Sequence, residues 1–354
     1  IPVFFDVGLV IVASILFSLT KRTGKSLLVF GLPLTAAMAT THAFVPPTPG
    51  PAYVAYALGV DLGTMIVVGI LVAIPTAIVA ALVGQRLGSK LYVPVPTHLD
   101  VAEEIDEKDL PSFGLIALII ALPIGLILLG TGIERFVVAS GIPEGLQLSE
   151  YNAQLAERVR TASLPIQIIS FLGKPIIALL VATLAALLFL GRLRGTTSDQ
   201  LLELSTKALG PAGIIILITG AGGVFKGILI ATGIAQALAD FFGEMPISLV
   251  AVAFILATVI RVAQGSATVA MVTSAALVST LAEEGTYSSF HMALVVVAIA
   301  SGSTMMSHVN DSGFWIVNRY FGMSVKDTLK TWSVVTCVIA LTGFAFAMLL
   351  SLFA

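Results

Sequence analysis

The sequence predicts an all-α polytopic membrane protein built from inverted-topology repeats, with re-entrant helical hairpins and broken transmembrane helices. The first observation is composition: 57% of the 354 residues are hydrophobic and 11% are charged, against about 25% charged in soluble domains. The second is a series of apolar runs that approach or reach the roughly 20 residues needed to cross a bilayer. These runs are at 65–83, 116–130, 175–191 and 340–354. The third is the distribution of Lys and Arg, which sets the direction of each span.

Most of the 18 Lys and Arg lie in four short connections between apolar runs, which the positive-inside rule makes cytoplasmic. They are Lys21, Arg22, Lys25, Arg86, Lys90, Lys108, Arg192, Arg194, Lys207, Arg319, Lys326 and Lys330. With these connections inside, the predicted spans alternate in direction at 7–20, 26–60, 62–85, 113–133, 166–191, 211–241, 289–320 and 331–353. Residues 150–160, in the long outer loop, are predicted to form an interfacial helix.

Residues 246–282 have to begin and end on the outer side. They are therefore predicted to form a re-entrant helical hairpin with its tip at 264–268. Three spans also contain residues that disfavour a continuous helix: prolines at 46–51, glycines at 220–223 and polar residues at 310–313. Proline removes a backbone donor and clashes with a continuing helix, and glycine adopts conformations that other residues resist. We expect each of these three spans to be broken.

Two of the interruptions follow the same order of elements. Residues 37–42 precede the break at 46–51, and residues 304–308 precede the break at 310–313. Each of these two stretches follows a membrane element and a short turn. The turn is basic and cytoplasmic before the first break, and acidic and external before the second. The same order in opposite orientation predicts an inverted-topology repeat, as many secondary transporters have.

This repeat divides the chain into four predicted segments. Residues 1–60 supply the hairpin arm and broken helix of the first repeat, and residues 211–320 supply the helix, hairpin and broken helix of the second. Together they form the transport unit. Residues 61–210, with their loops, and residues 321–354 supply the scaffold helices, through which a homodimer is expected. In this register the first repeat lacks its opening helix, so we expect a longer N-terminal part in the whole protein.

Each break is followed by a new half-helix whose first N–H groups and positive dipole end face the break. Several such ends meeting at mid-membrane suit an anion. Ser266, Ser312 and Thr48 are expected to be N-caps. Hydroxyl and amide groups beside these ends supply donors and acceptors for a polyhydroxylated ligand. The predicted substrate-binding residues are Thr48, Gly50, Gln264, Gly265, Ser266, Thr268, Asn310, Ser312 and Gly313.

Two acids at predicted membrane depth, Asp6 and Asp311, are the candidates for coupling transport to an ion. Desolvation favours the neutral form of a carboxyl group, so either one could carry a proton, and either could equally help coordinate Na⁺. His42 and His308 occupy matched positions of the repeat and are further candidates, with packing as their alternative role. Arg261, just before the hairpin tip, either pairs with an intramembrane acid or faces the carboxylate of the substrate.

Sequence signals of other functions are absent. There is no His-Glu-x-x-His, no pair of cysteines with zinc spacing, no Gly-x-x-x-x-Gly-Lys-Ser/Thr loop and no Gly-x-Ser-x-Gly. The sequence therefore favours a transporter over an enzyme, with no metal site and no cofactor beyond a coupling ion. The expected partners are a small organic anion and the lipid bilayer, and not nucleic acid. An ion channel that uses the same half-helices as a filter is the alternative.

Several stretches resemble the gluconate permease family of H⁺ symporters, within the ion-transporter superfamily. They lie at 1–8, 46–51, 220–223, 264–270, 307–315 and 328–332. The resemblance implies uptake of gluconate or a related sugar acid with a proton across a bacterial inner membrane. Other members carry other sugar acids or D-serine. The chain departs from the family's pattern at Asp6, where a glutamate is usual, and at 48–51, where His-Pro-Gly-Pro is common. Since the superfamily includes Na⁺-coupled carriers, Na⁺ remains the alternative ion.

Overall fold

The fold is described from a computed structural model over residues 5–96, 111–139, 142, 148–233, 247–282 and 287–354. The described residues form helices joined by turns, and no strand occurs among them. The prediction of an all-α protein is therefore confirmed.

The helices are numbered here in chain order. They are α1 (Phe5–Thr23), α2 (Leu27–Phe44), α3 (Pro49–Ala57), α4 (Leu62–Gly88), α5 (Phe113–Ile133), α6 (Leu148–Thr161), α7 (Leu164–Leu172), α8 (Pro175–Ala186), α9 (Ser198–Ala231), α10 (Leu249–Gln264), α11 (Ala267–Ala282), α12 (Ser289–Gly302), α13 (Ser312–Tyr320) and α14 (Val325–Ser351). A π-helical turn extends α5 over Glu134–Val138 and another extends α8 over Leu187–Gly191. The predicted interfacial helix at 150–160 corresponds to α6.

Within the described residues, five helical stretches are long and apolar enough to cross a membrane. They are Leu27–Ala57, Leu62–Gly88, Phe113–Val138, Pro175–Arg194 and Val325–Ser351. Three shorter apolar helices, α10, α11 and α12, have 14 to 16 residues each. At 1.5 Å per residue, the 16-residue helices α10 and α11 are about 24 Å long, which is less than the roughly 30 Å of a bilayer's hydrocarbon core.

Serines begin many of these helices. The hydroxyl oxygen of the serine just before the helix accepts a hydrogen bond from an N–H of the first turn, which would otherwise lack a partner. Such N-caps occur at Ser26, Ser112, Ser248, Ser288 and Ser324. They explain why these helices start where they do, within otherwise apolar sequence.

The chain divides into two compact units. The first comprises Ile1–Val60, Met65–Glu103 and Gly222–Ala354, and the second comprises Asp61–Thr64 and Glu104–Ala221. The centre of the first unit is α12, in which every residue from Met292 to Gly302 is buried. A Cβ on Gly302 would overlap the carbonyl of Phe254 in α10. In the second unit, Gly130 of α5 and Gly173 meet so closely that neither has room for a side chain.

Two of the predicted interruptions are present. Residues 45–48 separate α2 from α3, and residues 303–311 separate α12 from α13, a longer break than the sequence predicted. The predicted hairpin is also present as two helices, α10 and α11, joined only by Gly265 and Ser266. Its passage into the membrane and back remains a prediction.

The predicted break at 220–223 is wrong, because α9 runs through these glycines without interruption, and it begins at Ser198 rather than at 211. A glycine in a helix costs only about 1 kcal/mol relative to alanine, so a glycine cluster alone does not end a helix. Conversely, the predicted span 166–191 is divided at Gly173 and Lys174. Pro175 explains the division, because a proline disfavours the helical conformation at the residue before it, and Lys174 has a ψ of 131°.

The lengths of the elements repeat along the chain. After the first break come α3 with 9 residues and α4 with 27 residues. After the second break come α13 with 9 residues and α14 with 27 residues. This agrees with the repeated order of elements predicted from the sequence, while the opposite orientation of the two copies remains a prediction.

Candidate functional site

The polar segment, residues 303–311, is held in place by α14. The backbone N–H of Ser307 donates to Thr336 Oγ1 at 3.0 Å, and Trp332 Nε1 donates to Ser307 Oγ at 2.9 Å. The hydroxyl of Ser333 donates to the carbonyl oxygen of Ser307. All four residues are buried. Because the three partners come from two neighbouring turns of one long helix, the non-helical backbone at Ser307 is supported by regular structure.

Asp311 is the N-cap of α13. Its Oδ1 accepts from the backbone N–H of Gly313 at 3.2 Å, and its Oδ2 accepts from Ser307 Oγ at 2.5 Å and from Arg261 Nη2 at 2.5 Å. Ser312, which the sequence predicted as the cap, is instead the first residue of the helix. Hydrogen bonds therefore reach both carboxylate oxygens, from a helix N-terminus, a hydroxyl and a guanidinium.

Arg261 and Asp311 form a buried ion pair. Their side chains are 4% and 12% exposed. Arg261 lies in the last turn of α10, fifty residues from Asp311 in sequence. A buried pair of this kind contributes little net stability, because the cost of desolvating both charges offsets their attraction. Removing one partner is expensive, since it leaves the other charge buried and unpaired.

The hairpin tip lies directly against the polar segment. Gly265 has a φ of +89°, and a Cβ at this position would overlap the carbonyl oxygen of Asn310. Asn310 Nδ2 donates to the carbonyl oxygen of Val262 at 3.2 Å. His308 Nε2 is 3.2 Å from the same oxygen, so this nitrogen is the donor. Glycine is therefore required here both for its conformation and for the close approach.

The first interruption meets the same hairpin from another direction. Gly50, in the first turn of α3, faces Met271 of α11 so closely that a Cβ would overlap the thioether sulfur. The buried hydroxyl of Thr48 donates to the carbonyl oxygens of His42 and Val45, at 2.8 and 2.9 Å. Thr48 occupies the N-cap position of α3, yet its side chain makes no capping hydrogen bond. It ties the end of α2 to the start of α3 instead.

The remaining predicted residues lie around the hairpin tip. Ser266 caps α11, since its Oγ accepts from the N–H of Val269 at 3.3 Å. Thr268 follows in the first turn of α11 and is half-buried, and Gln264 is exposed at the end of α10. The hairpin thus contacts both interruptions, through Gly265 at its tip and through Met271 one to two turns further along α11.

Asp6 lies in α1, but its side chain is outside the described part of the structure. Its neighbour Phe5 stacks on Trp332, with ring centroids 5.3 Å apart, so the start of α1 lies next to the tryptophan that supports Ser307. Among the described residues, no group of three or more His, Cys, Asp or Glu side chains is placed to hold a metal ion.

Sequence reasoning missed the contribution of α14. Trp332, Ser333 and Thr336 were assigned to a scaffold helix, yet they hold the polar segment. A serine or threonine in an apolar helix usually forms a hydrogen bond with a carbonyl of its own helix. The sequence pattern therefore did not indicate that these side chains contact the polar segment. The stretch at 328–332, which resembles the gluconate permease family, was the one available signal.

Comparisons with known proteins identify relatives of the whole chain. The model of the family described as GntP family permease matches residues 1–353. A gluconate permease of Pseudomonas aeruginosa is 36% identical over 99% of this chain and 74% of its own length. The low-affinity gluconate transporter of Escherichia coli K12 is 36% identical over 97% and 72%. The gluconate permease of Bacillus subtilis is 32% identical over 99% and 75%.

Permeases move solutes and are not enzymes, so the chain is a transporter, as its sequence predicted. The five membrane-capable helices, together with permease relatives from bacteria, make it a multi-pass protein of the bacterial inner membrane. The family match covers nearly the whole chain, and the relatives are matched over more than two thirds of their length. The resemblance found in the sequence is confirmed: this chain belongs to the GntP family of permeases.

Proposed function

We propose that the protein is a secondary active transporter that imports gluconate or a related sugar acid together with a proton. The observation that carries this proposal is the buried ion pair of Arg261 and Asp311, where the hairpin tip meets the polar segment. Ionisable groups within a membrane protein are costly and commonly mark the pathway of a substrate or a proton. The relatives suggest the substrate, because the three compared above are named for gluconate.

The surroundings of the pair suit a hydroxylated anion. Asn310 and Ser312 are exposed beside Asp311, and Ser266 and Thr268 lie at the N-terminus of α11, next to Gly265. These side chains offer hydroxyl and amide groups that act as both donors and acceptors. The N-termini of α11 and α13 add positive dipole ends. In this proposal they hold the hydroxyl groups and carboxylate of a sugar acid, and Asp311 takes up the coupled proton.

Transport also requires alternating access from the two sides of the membrane. We assign the moving part to the hairpin and the two interrupted helices, in an inverted repeat whose hairpin is re-entrant. Two observations support this assignment. The helices α10 and α11 are too short to cross a bilayer, and the lengths of α3 and α4 are the same as those of α13 and α14. The scaffold helices are proposed to dimerise, as is common for such carriers.

The test is uptake of labelled gluconate into proteoliposomes with an imposed pH gradient and a clamped membrane potential. A symporter accumulates gluconate above its external concentration when the lumen is more alkaline, and the initial rate saturates with substrate. Uptake that is indifferent to the pH gradient but driven by a Na⁺ gradient would establish the alternative coupling ion. A conductance that does not saturate would refute a carrier and indicate an anion channel. Competition by other sugar acids and D-serine then ranks the substrates.

A further inference from the structure

The guanidinium of Arg261 is only partly used within the described structure. Nη2 donates to Asp311, whereas Nε and Nη1 are buried and have no hydrogen-bond partner among the described residues. Buried polar groups are paired in the great majority of cases. Leaving a buried donor unsatisfied costs about 1–3 kcal/mol, and more when the group is charged. A side chain that is 4% exposed and still offers free donors therefore points to a further acceptor.

The geometry of the guanidinium restricts what that acceptor is. A carboxylate binds arginine through two parallel N–H···O bonds, using either Nη1 with Nη2 or Nε with Nη2. Nη2 belongs to both pairs and carries two hydrogens. One of them points alongside the Nε–H, and the other points alongside a hydrogen of Nη1. Since Asp311 accepts one of them through a single oxygen, one pair of donors remains complete. A second carboxylate fits this pair without displacing Asp311.

Two carboxylates around one guanidinium create an excess of negative charge. The other side chains that contact Asp311 or Ser307 are uncharged: α14 contributes Trp332, Ser333 and Thr336. Two other titratable groups lie near the segment among the described residues. His308 Nε2 is engaged with the carbonyl of Val262, and the uncharged thiol of Cys337 in α14 contacts the backbone of Met306; the side chain of Asp6 is not described. Like charges at close range favour the neutral form of one of them. A proton on Asp311 therefore offsets the charge of a second carboxylate.

We infer that Arg261 is the residue that binds the carboxylate of the transported anion, and that Asp311 and this carboxylate share its guanidinium. Binding of the anion is then linked to protonation of Asp311, because the shared cation balances only one negative charge. This inference rests on the proposed function, and it adds the residue that recognises the carboxylate and the reason why anion and proton travel together. The residues on either side of Asp311 in sequence, Asn310 and Ser312, are exposed.

The experiment compares binding of gluconate with binding of its neutral amide, in detergent and without any gradient, over a range of pH. Wild-type protein should prefer gluconate by roughly ten- to a hundredfold, the value of hydrogen bonds to a charged group. Its affinity for gluconate should fall as the pH rises, because binding takes up a proton. Asp311→Asn should bind gluconate at least as tightly, with an affinity that no longer depends on pH in this way.

Arg261→Gln and Asp311→Asn each leave the other charge of the pair buried and unpaired, so each single variant is expected to be less stable than the wild type. Binding by Asp311→Asn is therefore measured on protein that thermal unfolding in detergent shows to be folded. The double variant Arg261→Gln/Asp311→Asn removes both charges at once and keeps polar side chains that can hydrogen-bond. In this variant the preference for gluconate over the amide should fall to within about threefold of unity, far below the tenfold expected from a charged hydrogen bond. The matched control is Arg319→Gln/Asp327→Asn, which removes the same two charges at an exposed and a half-buried position outside the ion pair and should bind as the wild type does.

The outcomes separate this inference from the function on which it rests. A double variant that folds and still prefers gluconate as strongly as the wild type overturns the role of Arg261 and leaves the proposed function intact. Asp311→Asn with the wild-type dependence on pH overturns the shared guanidinium. A wild-type protein that binds no sugar acid contradicts the proposed function itself, and this inference with it.

Discussion

Gly265 joins α10 to α11 against the polar segment, and replacing it with alanine tests how closely the hairpin tip has to fit. Its φ of +89° is a conformation that costs a residue with a Cβ about 1–3 kcal/mol. The added Cβ would also overlap the carbonyl oxygen of Asn310. Because this oxygen belongs to the backbone, it cannot rotate away, and overpacking of this kind costs about 1–3 kcal/mol more. We therefore expect Gly265→Ala to lower the free energy of unfolding by about 2–6 kcal/mol.

Thermal unfolding in detergent measures this loss, and gluconate uptake into proteoliposomes measures its consequence for transport. Uptake should fall as well, because the displaced residue, Asn310, precedes Asp311 directly. The matched control is Gly125→Ala in α5, where a Cβ would meet no atom within 4 Å, so its stability should be unchanged or slightly higher. A Gly265→Ala protein that unfolds and transports as the wild type does would refute the close fit of tip and segment.

Three further changes have expected outcomes, each measured by thermal unfolding. Trp332→Phe removes the donor to Ser307 Oγ and should cost about 1–3 kcal/mol; an unchanged melting temperature would show that this bond is dispensable. Gly50→Ala would overlap the sulfur of a buried methionine, whose side chain can move, so its cost should be smaller than that of Gly265→Ala, and the reverse order would contradict this account. A hydrogen bond from Arg160, and its charge, hold the pKa of Glu157 below its usual range. This contribution is present above the unfolded-state pKa and is lost as the pH falls through the folded-state pKa. Glu157→Gln should therefore lower stability at neutral pH only slightly, because the pair is exposed, and should remove this part of the loss of stability at acid pH; a large loss at neutral pH would show that Glu157 has another role.

Much of this fold follows from residues that forbid a regular helix. Prolines at 46–51 and polar residues at 310–313 predicted the two interruptions, and Gly265 with its polar neighbours predicted the hairpin turn. These predictions succeeded because a missing donor or an αL conformation acts locally, whatever the rest of the chain does. The prediction from the glycines at 220–223 failed because glycine permits a break in a helix but does not impose one, and α9 continues through them.

The composition of the site was harder to foresee. Arg261 and Asp311 were each singled out because a charge in an apolar segment is conspicuous, but the sequence left the partner of Arg261 open. Fifty residues separate the two, and only the packing of α10 against α12 brings them together. The support from Trp332 and Thr336 was invisible for a different reason, since polar side chains of a long apolar helix can satisfy themselves within that helix.

The most direct test of the account measures proton entry caused by the substrate. Proteoliposomes containing a pH-sensitive dye report acidification of the lumen when gluconate is added outside, with no pH gradient imposed and the membrane potential clamped. The wild type and Asp327→Asn, which removes a half-buried carboxylate that accepts a hydrogen bond from Ser324, should both acidify the lumen. Asp311→Asn should not, even where it still binds gluconate. Gluconate-dependent acidification by Asp311→Asn at the wild-type rate would contradict the central claim, because the proton would then be carried by another group.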